Sequence, residues 1–126
     1  MNRNSEKTFL HKKVYKISWK SKENNRKKNK KIKERELLRL ENSIKNGIEK
    51  YGKDKPIIVC MHYPPLLKDF KNSEFTKILE KYNTKYCIYG HLHGKSHVNV
   101  LEGNINGVNY KMASCDYTKF DLIKIV

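Results

Sequence analysis

Two short apolar runs, "PIIVCM" (56–61) and "TKYCIY" (84–89), each give way within two residues to a histidine. This pair of runs constrains the fold more than any other feature. Both are rich in β-branched and aromatic residues and too short for a helix. The first lacks polar alternation and reads as a strand buried on both faces, as in a parallel sheet. Tyr63-Pro64-Pro65 ends it. Ser73 can cap a helix that carries Phe75, Ile78, Leu79 and Tyr82 on one side. Strand, helix and strand over residues 56–89 make a βαβ unit, with parallel strands and a right-handed crossover.

Upstream, Leu37, Leu40, Ile44, Ile48 and Tyr51 recur at spacings of three and four and form one apolar stripe of a helix, with Gly52 at its C-terminal end. Before it, "KVYKISW" (13–19) alternates weakly and reads as a short strand, and "KSKENNRKKNKK" reads as poorly ordered. Downstream, "SHVNVLEG", "NYKMAS" and "FDLIKIV" read as short strands separated by Asn-Gly and Gly-Asn turn signals, an antiparallel meander. The class is α/β. The organisation is a basic, weakly ordered arm over 1–29 and one domain over 30–126.

The charge is concentrated in the arm. Of 28 Lys and Arg against 13 Asp and Glu, net +15, residues 1–35 hold fourteen basic and three acidic residues. A basic arm suggests nucleic acid or an anionic surface, yet 24 of the 28 are Lys, and Arg is the more specific reader of phosphate and guanine. No specific nucleic-acid binding is expected. Cys60, Cys87 and Cys115 lie in apolar runs without a CxxC pairing and read as buried free thiols of a reducing compartment. No apolar run approaches the roughly 20 residues of a membrane span. The expected location is cytoplasmic, without a membrane partner.

His62 and the pair His91/His93 fall just past the C-terminal ends of the two strands, the edge at which open α/β sheets bind ligands. Neighbouring strands stand about 4.8 Å apart, so these side chains can converge on one ion. An extended backbone would send His91 and His93 to opposite faces; a turn flanked by Gly90 and Gly94 can aim both at one region. Neutral imidazole is a common ligand for zinc, manganese and iron. The competing reading is three hydrogen-bonded structural histidines. His97 reads as a surface strand position. Asp116, in "SCDY", reads as a structural hydrogen-bonding group.

"MHYPP" at 61–65 and "YGHLHG" at 89–94, in a βαβ setting, resemble the C-terminal half of the calcineurin-like metallophosphoesterases. "KERELLRLENSI" before them and "NGVNYKMASCDYTKF" after them extend the resemblance over residues 30–126. The resemblance implies half of a βαββ sandwich domain with two divalent ions of the Mn, Fe or Zn class at the strand ends. It implies that His62 and His91 ligate one ion and His93 the other. It also implies a phosphoester substrate, attacked in line by a metal-activated water rather than by a side chain of this chain.

The family's other ligands come from an Asp-x-His, a Gly-Asp-x-x-Asp and a Gly-Asn-His followed by an acid. None occurs here. The aspartates are Asp54, Asp69, Asp116 and Asp121, with none in the first 53 residues. The chain therefore reads as a truncated metallophosphoesterase, or one piece of a split protein whose partner is the missing N-terminal half. The alternatives are an inactive half-domain that binds a partner or a single metal ion, and a Lys-rich nucleic-acid binder.

Overall fold

A computed structural model describes the backbone of residues 22–125 and the side chains of residues 26–125. The expected strand at 13–19 lies outside the described residues. The chain divides into two compact units, Met1–Arg39 and Leu40–Val126, with the boundary inside the long first helix. That helix, α1, runs over Lys22–Tyr51. It therefore begins well before the apolar stripe, and the Lys- and Asn-rich stretch from Lys22 on, expected to be poorly ordered, is helical. Between residues 26 and 39 its described side chains are mostly polar and exposed, with the pairs Lys30–Glu34 and Arg39–Glu36 at the spacings that support a solvated helix.

The second unit is built on a four-stranded mixed sheet. After α1 come β1 (Ile58–Met61), α2 (Glu74–Lys81), β2 (Tyr86–Tyr89), a 3-10 turn (Gly94–Asn99), β3 (Gly103–Ile105) and β4 (Val108–Met112). The spatial order is β1-β2-β4-β3. β1 and β2 are parallel, Val59 opposite Cys87 and Met61 opposite Tyr89, as the βαβ pattern predicts. Ser73 caps α2 as expected. Its hydroxyl accepts from the Thr76 amide while Thr76 Oγ1 accepts from the Ser73 amide, so two of the helix's unpaired amides are satisfied reciprocally.

The C-terminal part departs from a meander. Asn106 and Gly107, at φ 52° and 90°, make the tight turn that the Asn-Gly signal announces, and β3 and β4 form an antiparallel hairpin around it. β4, however, pairs parallel with β2, Cys87 opposite Tyr110 and Tyr89 opposite Met112, and so lies inside the sheet. The expected strand at "SHVNV" is instead the 3-10 turn, closed by Ser96 N–H to His93 O and Val100 N–H to His97 O. "FDLIKIV" forms no strand among the described residues; Phe120 and Leu122 are exposed.

One face of the sheet carries the core. Val59, Cys87, Tyr89, Val108, Tyr110 and Met112 are buried there, with Leu79 of α2, Ile44 of α1, Leu66 and Leu92. Leu40, Ile48, Ile78 and Tyr82 pack against this cluster, whereas Tyr51, read as the end of the stripe, is exposed. The expectation that β1 is buried on both faces fails: Ile58 is 44% exposed and Cys60 is also exposed. The physical reason is that both helices contribute to a single cluster on one side. The three thiols are free, and only Cys87 is buried. Among the described residues no helix is long and apolar enough to cross a membrane.

Candidate functional site

Three loops meet at the C-terminal ends of the parallel strands: 62–65 after β1, 90–94 after β2 and 113–118 after β4. The ladder holds the first two together beyond the strands, since Gly90 N–H donates to His62 O at 3.1 Å. Ala113 N–H donates to Tyr89 O at 2.8 Å and ties in the third.

His91 does what the sequence assigned to its flanking glycines. Its φ is +68°, and Leu92 N–H donates to Gly90 O at 2.8 Å, closing a three-residue turn with His91 at its centre. A γ-turn with positive central φ is rare and strained, and a non-glycine residue in this region costs about 1–3 kcal/mol. Gly90 has no positive φ, and a methyl group on it would make only ordinary contacts with Ser114 Oγ and His62 O. Gly94, at φ +56°, does use its freedom.

The turn carries His91 to His62. Nδ1 of His91 lies 3.3 Å from Nε2 of His62, and the ring centroids are 5.2 Å apart. Tyr63 packs against both rings, edge-on to His62 at 4.8 Å and tilted against His91 at 4.5 Å. Two nitrogens bound at about 2.0–2.1 Å to one tetrahedral ion stand about 3.3 Å apart. The 3.3 Å separation of the pair matches that value and a direct N–H···N contact alike.

His93 has a different surrounding. Its Nδ1 is 2.8 Å from Asp116 Oδ1, and Asp116 Oδ2 accepts from Gly94 N–H at 2.8 Å. His97 Nε2 lies 3.3 Å from the same Oδ1 without the alignment of a hydrogen bond, and its ring stands edge-on to Tyr117 at 5.2 Å. The Gly94 amide, then the His93 and His97 imidazoles, hold the Asp116 carboxyl well below the usual carboxylate range, against an opposing effect of burial. His97, read as a surface strand residue, is thus half-buried in this cluster. Asp116 is the residue whose role the sequence left general: it lies 23 positions from His93, and no local pattern links the two.

Asp116 is itself held. The turn after β4 is closed by the Tyr117 and Thr118 amides donating to Ser114 O. Tyr117 Oη donates to Glu102 Oε1 at 2.8 Å, and Glu102 Oε2 accepts from Met112 N–H. Among the described residues no group of three or more His, Cys, Asp or Glu is arranged to hold a metal ion. The described residues thus form a pair of imidazoles, His62 with His91, and a carboxylate-held imidazole, His93.

No curated protein and no solved structure gives a match to the chain. The family model of calcineurin-like phosphoesterase matches residues 3–95, a stretch that contains both strand-end motifs and 93 of the 126 positions. The chain belongs to the calcineurin-like phosphoesterase family.

Proposed function

We propose that the chain supplies imidazole ligands to the divalent-metal centre of a phosphoesterase, His62 and His91 to one ion and His93 to a second. The observation that carries this reading is the 3.3 Å separation of His91 Nδ1 and His62 Nε2 at the strand ends, held by a strained turn. Strain of this kind persists where surrounding structure enforces it and concentrates at functional sites. When bound, a divalent ion supplies Lewis acidity toward phosphate oxygens and toward water. The chain's own part is to present His62 Nε2, His91 Nδ1 and the outer nitrogen of His93 in a fixed arrangement, with Tyr63 shielding the first two rings.

Three neutral imidazoles do not offset the charge of two divalent ions. A segment bearing the family's Asp-x-His, Gly-Asp-x-x-Asp and Gly-Asn-His motifs must contribute the bridging carboxylate. A second reading, a module that binds one ion, rests on the His62–His91 pair alone.

The test is metal content by mass spectrometry, with hydrolysis of an aryl phosphate. The isolated 126-residue chain should bind at most one Zn²⁺ or Mn²⁺ and hydrolyse negligibly. Adding a polypeptide that carries the three motifs should restore hydrolysis, and His91→Ala or His62→Ala should each abolish it with little loss of folding. Robust turnover by the isolated chain, lost in His91→Ala, would overturn the requirement for that added segment.

A further inference from the structure

We infer that Asp116 is a positioning residue for His93, fixing its tautomer and direction so that Nε2 carries the free lone pair. The inference rests on the reading of His93 as a ligand for its consequence, and its first step rests on the contact between His93 and the Asp116 carboxylate. An ionised carboxylate can only accept hydrogen bonds. The ring nitrogen 2.8 Å from Asp116 Oδ1 is Nδ1, so this nitrogen bears the hydrogen. A neutral imidazole has one N–H, which leaves Nε2 as the acceptor and the ligand atom.

The second oxygen makes the arrangement directional. Oδ2 takes the amide of Gly94, the residue that follows His93, so one carboxylate grips the ring and the backbone beside it. His93 itself is extended, at φ −131° and ψ 153°, and the 3-10 turn starts directly after it. The grip therefore sets where the ring leaves the chain. Its base is firm: Tyr117, the next residue after Asp116, is tied to Glu102, which is tied to the last amide of β4. A carboxylate behind a ligating histidine orients the ring and raises its basicity, and its removal typically weakens metal binding roughly 10–100-fold. The His62–His91 pair has the opposite design, with one ring nitrogen turned directly on the other.

Long-range ¹H–¹⁵N correlation of the histidine rings decides the point, on the full chain near pH 8. His93 should show a protonated Nδ1 and a bare Nε2 in the wild type. Asp116→Ala should lose that preference, and Asp116→Asn, which keeps one acceptor oxygen, should largely retain it. In the metal-competent protein Asp116→Ala should weaken Zn²⁺ binding by roughly 10–100-fold. A wild-type His93 with its hydrogen on Nε2 overturns the inference by itself, whether or not the variants fold. An Nδ1–H tautomer that Asp116→Ala leaves unchanged overturns it as well. A locked tautomer that Asp116→Ala releases, in a protein that takes up no Zn²⁺ in any form, upholds Asp116 as the positioning residue and refutes the metal reading of His93.

Discussion

The two faces of the sheet come from the same strands and meet opposite fates. On one face Val59, Cys87, Tyr89, Tyr110 and Met112 are buried under Leu79 and Ile44. On the other, one residue along each strand, Ile58 and Cys60 are exposed and Tyr86, Ile88, Asn109 and Lys111 are half-buried. The difference teaches that an apolar strand composition reports what a strand tolerates, whereas the neighbours that arrive decide what is covered. Cys60 and Cys87, on adjacent paired strands, are the sharpest contrast: one thiol is exposed and the other fully enclosed.

The largest effect should come from core deletion. Leu79→Ala should cost about 2–5 kcal/mol, because a fully buried side chain leaves a cavity. Ile58→Ala, on the open face, should cost less than about 1 kcal/mol. Urea unfolding with comparison of midpoints checks both; equal losses would break the contrast and mean that the open face is covered in solution.

Alkaline pH should act next. Burial, and then the nearby Cys60, push the Cys87 thiol from 9.0 up to about 12, and burial pushes the Tyr89 hydroxyl from 10.0 up to about 12. The fold favours the neutral forms of both groups. Their contribution to stability is therefore complete below about pH 9 and falls as the pH rises toward 12, where the unfolded chain binds fewer protons. Circular dichroism in urea at pH 8 and pH 11 should show a lower midpoint at the higher pH. At pH 8.5 iodoacetamide should modify Cys60 and Cys115 while sparing Cys87, since the thiolate is the reactive form. Rapid modification of Cys87, read by mass spectrometry, would contradict its enclosure.

The smallest effect separates two tyrosines on the covered face. Tyr89 Oη donates to Leu101 O at 2.7 Å and accepts from Leu101 N–H, whereas Tyr110 Oη has no partner among the described residues. Tyr89→Phe should lower stability by about 1 kcal/mol and Tyr110→Phe should change it by less than about 0.5 kcal/mol. Equal losses in thermal unfolding would show that the Tyr110 hydroxyl is satisfied in solution.

The βαβ unit was legible because its signals are local: two β-branched runs, a Ser73 cap and an apolar helix face within 34 residues. The pairing of β4 with β2 was not, since an alternating strand reads the same whether its neighbour is parallel or antiparallel. "SHVNV" alternates like a strand, but Gly94 at positive φ and the hold of Asp116 on its amide turn the chain into a 3-10 helix. Of the site, the approach of His62 to His91 followed from strand-end placement. The particular device, His91 itself in the left-handed region, ran against the expectation that glycine would take that conformation. Asp116 emerged only from the long-range geometry of the β4 turn.

The placement of β2 between β1 and β4 has a consequence for the site. Without β4, β1 and β2 would be a two-stranded pair with one edge of β2 open, marginal by itself. The loops bearing His62 and His91 therefore gain a rigid floor only when β4, which follows both motifs in the chain, docks beside β2.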